Sequence, residues 1–338
     1  MRELLKTEHL SVSFFTKSGE VEAVRDVSLT VEEGEVLAIV GESGCGKSAL
    51  CKSIMKLLPK TAKIKSGKIL ADGIDITDYT QRNMSRLRGE LFSMIFQDPM
   101  TSLNPTMTIG KQIGEAVRIH NKKMPKKQVK EKVLELMQLV EIGGPEVRIS
   151  QYPHEFSGGM RQRAVMAIAL AGNPKILFAD EPTTALDVTI QAQILDVFRR
   201  IQKKLGMATV FISHDLGVVA GVADRVAVMY AGKIVEIGTA EEIFYDPRHP
   251  YTWGLLQSLP ILSRGKEWLP TLPGMPPTLI HPPKGDAFAE RNAYAMRIDY
   301  EKDPPVFQVT DTHYAATWLL DERAPKVKAP IGEGRYGK

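Results

Sequence analysis

The chain has 338 residues, of which 43% are hydrophobic and 25% charged, with a net charge of +4. At about 150 residues per domain this length predicts about two domains with a substantial core, and the ordinary composition excludes wholesale disorder and fibrous repeats. The mild charge gives no electrostatic ground for nucleic-acid binding, the two cysteines exclude a disulfide framework or a four-thiolate metal site, and no apolar run approaches the ~18 residues of a membrane span. The opening MRELLKTEHLS has no apolar signal core, so the expected compartment is the cytosol. Residues 10–15 and 22–34 alternate as strands of an antiparallel sheet, with a turn at 17–19. The run VLAIVG (36–41) predicts a strand buried on both faces. A glycine-rich turn follows, then a helix from Lys47 to about Leu58, stopped by Pro59.

Residues 82–150 lean to helix. The stretch 118–141 contains an amphipathic helix with apolar Val129, Val133, Leu136, Met137 and Val140, while its lysines read as a solvated face. KILFAD (175–180) and ATVFISHD (208–215) predict strands separated by a helix over 188–205, and 226–238 predicts a hairpin around Ala-Gly. Strands alternating with helices predict an α/β fold with a parallel sheet covered on both faces. Beyond about residue 240, nine prolines fall between Pro247 and Pro283, which predicts an irregular segment and then a small tail domain ending in a disordered-looking KVKAPIGEGRYGK. The chain has no internal repeat. The expected domains are 1–240 and 241–338.

GESGCGKS (41–48) fits G-x-x-x-x-G-K-S/T, between a predicted strand and a predicted helix, the context in which that motif cradles phosphates. Gly41, Gly44 and Gly46 let backbone amides of a loop that also carries Glu42, Ser43 and Cys45 close on phosphate oxygens, and the helix start at Lys47, Ser48 and Ala49 adds its positive dipole end. Lys47 can reach the β- and γ-phosphates, and the Ser48 hydroxyl can ligate Mg²⁺. Alkylation of Cys45 is expected to block nucleotide binding, with ATP protecting. ILFADEP (176–182) places two carboxylates at the carboxyl edge of the sheet, where ligands bind in such folds. Asp180 is the candidate to hold Mg²⁺ through water, and Glu181 to orient and activate the attacking water.

Four further segments sharpen this nucleotide site: Gln97 within IFQDP (95–99), FSGGMRQR (156–163) before the Ala-rich AVMAIALA, TALD (184–187), and His214 after a strand. In this order and spacing the chain resembles the ATP-binding subunits of ABC transporters over about residues 4–240, with Phe156 departing from the usual leucine. The resemblance implies a P-loop NTPase (RecA-like) core with an antiparallel β subdomain, a helical signature subdomain over about 98–175, and the small irregular C-terminal domain. It implies a head-to-tail pair of ATPase domains with ATP between the phosphate loop of one and the signature of the other, here Ser157, Gly158, Gly159 and Gln162. It gives Asp187 a contact across that interface, His214 the γ-phosphate, and Gln97 the Mg²⁺ and water together with a link to the membrane partner. Ser48, Gln97 and Asp180 become the Mg²⁺ set, Lys47 offsets developing charge, and an aromatic of the first strand stacks on adenine, Phe14 first and Phe15 second. No motif is degraded, so hydrolysis of ATP is expected.

RHPYTWGLLQSLP (248–260) and 272–296 resemble the C-terminal region of oligopeptide and dipeptide importer ATPases, a tail type that also serves importers of nickel and glutathione. The resemblance implies an energy-coupling subunit on the cytoplasmic face of the cell membrane, bound peripherally to two transmembrane permeases and to a second ATPase subunit, a paralogue, and served outside by a peptide-binding protein. Many relatives hold an iron–sulfur cluster on four tail cysteines. The matching positions here are Asp286, Asn292, Asp299 and Thr317, so no cluster is expected, and these side chains are expected to satisfy turn amides or, alternatively, to hold a hard cation. The alternatives are the same machine moving nickel or another small solute, an exporter, and a soluble ABC ATPase acting on nucleic acid or ribosomes. The last is disfavoured because the chain has one set of motifs and only about 110 residues between Lys47 and Ser157, with no room for a long coiled-coil insertion.

Overall fold

The computed structural model describes residues 2–97, 102–184, 186–259 and 272–330. Among the expected segments, Asp98 and Pro99 of IFQDP, Ala185 of TALD, Pro260 and the last eight residues of the chain lie outside the described residues. The first part of the chain forms β1 (Glu3–Thr16), β2 (Gly19–Glu32), β3 (Val36–Val40), α1 (Lys47–Ile54), β4 (Ala62–Ala71), β5 (Ile74–Asp75), α2 (Gln81–Leu87) and β6 (Phe92–Ile95). There follow α3 (Ile109–His120), α4 (Lys126–Leu139), α5 (Pro145–Arg148), α6 (Gly158–Leu170), β7 (Ile176–Asp180), α7 (Val188–Leu205) and β8 (Ala208–Ser213). The last part comprises α8 (Leu216–Val222), β9 (Arg225–Tyr230), β10 (Lys233–Thr239), α9 (Ala240–Tyr245), α10 (Pro250–Gln257), α11 (Arg297–Glu301), β11 (Phe307–Gln308) and β12 (Tyr314–Ala315). Among the described residues no helix is long and apolar enough to cross a membrane.

The chain folds as two compact units. The first comprises 1–5, 30–36 and 71–212. In it β6, β7 and β8 run parallel, with Phe92 opposite Ile176 and Ile176 opposite Ala208. All five residues of β7 are buried, the burial expected of a parallel strand covered on both faces. Helix α7 spans 188–205, as its sequence predicts. Ile194, Val197, Phe198 and Ile201 form its buried stripe at helical spacing. The Asp187 carboxylate accepts from the Ile190 amide at its start, and Gly206 ends it at φ +60°. Helix α4 buries Val129, Val133, Leu136 and Met137, with its lysines in solvent.

The second unit comprises 6–29, 37–70 and 213–338. Here β3 runs parallel to β9, pairing Leu37 with Arg225, and β9 turns back into β10. Ala231 and Gly232 make that turn at φ +46° and +83°, a left-handed pair that matches the twist of a tight hairpin. Helix α1 ends at Ile54, four residues before the expected stop. Lys56 takes a left-handed φ of +52°, its amide donates to the Ser53 carbonyl, and the Leu57 amide donates to the Lys52 carbonyl at 2.7 Å. This is a Schellman closure in which lysine occupies the place usually held by glycine.

The described residues of the tail form regular elements that its prolines do not suggest. Strand β12 pairs antiparallel with β10, setting Ala315 opposite Glu236, and β11 pairs with β12. Pro250 sits in the first turn of α10, where a missing amide costs nothing. The buried Glu236 carboxylate accepts from the Arg248 and His249 amides at 2.5 and 3.1 Å and meets His313 Nε2 at 2.8 Å. Burial pushes His249 down to about 3, so its ring is neutral and Nδ1 accepts from the Tyr251 amide at 3.0 Å.

Candidate functional site

The phosphate loop lies in the second unit, between β3 and α1. Its glycines are required by close approaches. A Cβ on Gly41 would stand 2.1 Å from the Met229 carbonyl oxygen, and one on Gly46 would stand 2.2 Å from that of Ala23. Both glycines have positive φ, +152° and +111°. Lys47 is 5% exposed and donates from Nζ to the Gly41 and Glu42 carbonyls at 2.7 and 2.9 Å, so its ammonium is folded against the loop backbone. Ser43 and Gly44 are exposed, and Ser48 and Ala49 are half-buried in the first turn of α1. Cys45 is 6% exposed, with Sγ 3.6 Å from Lys47 Nζ, and burial pushes its thiol up. A buried thiol kept protonated reacts slowly. In the same unit His214 is exposed just after β8, Phe14 is half-buried, and Phe15 is exposed, with the ammonium groups of Lys63 and Lys65 at 5.8 and 5.4 Å from its ring centre.

The acidic pair lies in the first unit. Asp180 ends β7 at 2% exposure. Glu181 follows at φ +48°, a left-handed conformation that costs a non-glycine residue about 1–3 kcal/mol. The surroundings hold it there, because its amide donates to the Ile212 carbonyl at 3.0 Å and its carboxylate accepts from Gln97 Nε2 and Thr184 Oγ1, each at 3.0 Å. Gln97, which meets the Glu181 carboxylate, stands 84 positions earlier in the chain.

The signature residues open α6 in the same unit. Ser157 caps the helix, its hydroxyl accepting from the Met160 amide at 3.3 Å, and Ser157 and Gly158 are exposed. A Cβ on Gly159 would stand 2.7 Å from an Ile190 methyl. Gln162 does not share that exposed face. It is 0% exposed, and neither amide atom has a hydrogen-bond partner. It stands three residues after the buried Gly159 and three before the buried Val165, on the helix face that turns inward, which corrects its assignment to the signature surface. Asp187 is exposed and caps α7.

The four tail positions are buried, and each accepts a turn amide: Asp286 from Phe288 at 2.9 Å, Asn292 from Tyr294 at 2.9 Å, Asp299 from Met296 at 2.6 Å and Thr317 from Leu319 at 3.3 Å. An iron–sulfur cluster needs thiolates, and the two cysteines of the chain stand at 45 and 51, so these residues do not fit one. Among the described residues no group of three or more His, Cys, Asp or Glu could hold a metal ion.

Sequence reasoning missed Tyr251 and Arg291 as neighbours of the phosphate loop. The Glu42 amide donates to the Tyr251 hydroxyl at 2.9 Å, and Arg291 grips the Glu42 carboxylate with both terminal nitrogens, at 2.6 and 2.8 Å. The only signal was the HPY triplet, which by itself reads as an ordinary loop.

A family model described as ABC transporter matches residues 24–184, and one described as oligopeptide/dipeptide transporter, C-terminal region, matches residues 235–298. The chain is 59% identical over 329 residues to an oligopeptide transport ATP-binding protein of Bacillus subtilis, covering 97% of this chain and 92% of that protein. It is 57% identical over 325 residues to a dipeptide transport ATP-binding protein of Lactococcus lactis, covering 96% and 93%. Among solved structures, a dimeric ATP-binding cassette in a post-hydrolysis state bound to ADP and Pi superposes with a TM-score of 0.62 at 25% identity, covering 70% of this chain and 99% of that one.

Proposed function

Because the chain belongs to the ABC transporter family, in its oligopeptide/dipeptide branch, we propose that it is the ATP-hydrolysing, energy-coupling subunit of a peptide importer. The observation that carries this reading is 59% identity to an oligopeptide transport ATP-binding protein over 97% of the chain.

In this reading the loop Gly41, Glu42, Ser43, Gly44, Cys45, Gly46, Lys47, Ser48 and Ala49 binds the phosphates of ATP. Lys47 exchanges its bonds to two loop carbonyls for phosphate oxygens. Ser48, Gln97 and Asp180 are each proposed as an oxygen donor to Mg²⁺, a hard cation that takes oxygen ligands; the amide nitrogen of Gln97 is the atom that meets Glu181, which leaves its oxygen. Bound Mg²⁺ supplies charge neutralisation on the β- and γ-phosphates. Glu181 orients and activates the attacking water, held in place by Gln97 and Thr184. His214 meets the γ-phosphate, and Phe14 or Phe15 stacks on adenine. The exposed cap of α6, Ser157 and Gly158 with Gly159 behind them, serves the nucleotide of a partner ATPase, and Asp187 meets that partner.

The domains in this reading are an ATP-binding domain over 1–240 and a tail over 241–338. The partners are a paralogous ATPase subunit in a head-to-tail dimer and two transmembrane permeases, with a peptide-binding protein outside and the chain at the cytoplasmic face of the membrane. The test is purification through a tag on this chain and reconstitution of the complex in vesicles. Co-purification of two permeases and a second ATPase, with ATP-dependent accumulation of short peptides, is the expected result. Accumulation of nickel or another solute in place of peptides refutes the cargo class while retaining the ATPase.

A further inference from the structure

Glu42, the second residue of the phosphate loop, is held at all three of its polar groups. Its carbonyl accepts from Lys47 Nζ at 2.9 Å. Its amide donates to the Tyr251 hydroxyl at 2.9 Å. Its carboxylate takes the two-pronged grip of Arg291. The first of these bonds is one that Lys47 exchanges for phosphate, and the other two contacts come from the C-terminal segment.

Arg291 is itself fixed. Its Nε donates to the Pro273 carbonyl at 2.7 Å and its Nη1 to the Tyr230 hydroxyl at 3.2 Å. The guanidinium lies 5.6 Å from the ring centre of Tyr230 and 5.9 Å from that of Phe288, and its side chain is 4% exposed. Tyr230, Tyr251 and Phe288 pack on one another with ring centres 4.5–5.4 Å apart, forming an aromatic seat beside the loop. The placement of Tyr251 is set in turn by the neutral His249 and by Glu236 on β10.

A carboxylate in a loop that receives a polyanion opposes binding unless it is neutralised. A bidentate guanidinium neutralises it and fixes its direction at the same time. We propose that Arg291 is a positioning residue of the nucleotide site: it cancels the charge of Glu42 and, with Tyr251, anchors the second residue of the phosphate loop. The C-terminal segment thereby tunes ATP affinity through Glu42. This inference rests on the reading of the loop as an ATP site.

The test measures Mg-ATP binding by titration calorimetry on the full chain and on Arg291→Met, Glu42→Gln and the double variant. Arg291→Met leaves the Glu42 charge uncompensated and weakens ATP by about tenfold or more. Glu42→Gln alone weakens it by about threefold, because the carbonyl and amide bonds survive. In the double variant no charge needs cancelling, so affinity returns to within about threefold of the parent. A purely structural loss at Arg291 persists in the double variant, and that result overturns the proposal. So does an Arg291→Met protein that binds within twofold of the parent. Should Arg291→Met fail to fold, Arg291→Lys keeps the charge but loses the fork; a loss of about threefold to tenfold supports the proposal, and parental affinity overturns it. A parent chain that binds no ATP refutes the ATP-site reading itself, and this inference with it.

Discussion

Replacing Asp286 with asparagine removes a carboxylate that the fold buries to 7% exposure. Burial pushes this group up from 3.8 to about 6, and the nearby charges of Asp299 and Asp303 add to the rise, against the Phe288 amide and Lys233, which favour ionisation. A raised folded value means that the folded state holds its proton more tightly than the unfolded chain. The contribution of Asp286 to stability is therefore fully present below pH 3.8 and is lost as the pH rises to about 6. The rise of roughly two units, at 1.36 kcal/mol each, corresponds to about 3 kcal/mol of destabilisation above pH 6. Asparagine has the same shape, carries no charge at any pH, and keeps an oxygen for the Phe288 amide. Asp286→Asn is therefore expected to be more stable than the parent by about 3 kcal/mol at pH 8, with the difference shrinking steadily toward pH 4. Urea unfolding midpoints of both proteins at pH 4, 6 and 8 measure this directly. Equal midpoints at pH 8, or a weaker asparagine variant there, would refute the reasoning, since a carboxylate that stabilises at pH 8 is ionised and has a partner such as a cation.

Gly46→Ala is expected to abolish Mg-ATP binding while leaving the protein folded, because its Cβ would lie 2.2 Å from the Ala23 carbonyl oxygen at a φ of +111°; equilibrium dialysis with labelled ATP that finds parental affinity contradicts the loop geometry. Cys45 is expected to react with iodoacetamide at least tenfold more slowly than free cysteine at pH 7.5, because burial holds the thiol protonated, and to speed up as the pH rises; mass-spectrometric rates equal to those of the free thiol contradict its placement.

The parts of this protein legible in its sequence are those governed by neighbours in the chain. Helix α7 carries its cap, its stripe and its closing glycine within 20 residues, and it folds over the range its pattern predicts. The phosphate loop likewise announces itself, because its glycines are demanded by backbone conformation. Helix α1 ended early for a reason that propensity hides, since a lysine rather than a glycine took the left-handed closing position. The tail strand 314–315 is only two residues long, too short for alternation to show, and it is specified by the edge of β10. The grip on Glu42 could not be read at all, because Tyr251 and Arg291 stand 209 and 249 positions away. Burial was the other blind spot: Gln162 and Cys45 are buried within motifs in which Ser43, Gly44, Ser157 and Gly158 are exposed.

The measurement that bears most directly on the central claim is ATP hydrolysis by the complete membrane complex, purified through this chain, with and without a pool of short peptides and their binding protein. The account predicts hydrolysis that rises with peptides in the parent. It predicts that the same complex carrying Glu181→Gln binds ATP at parental affinity and turns it over at least a hundredfold more slowly, the loss typical of removing a general base. Unchanged turnover in Glu181→Gln, or hydrolysis indifferent to peptides, would contradict it.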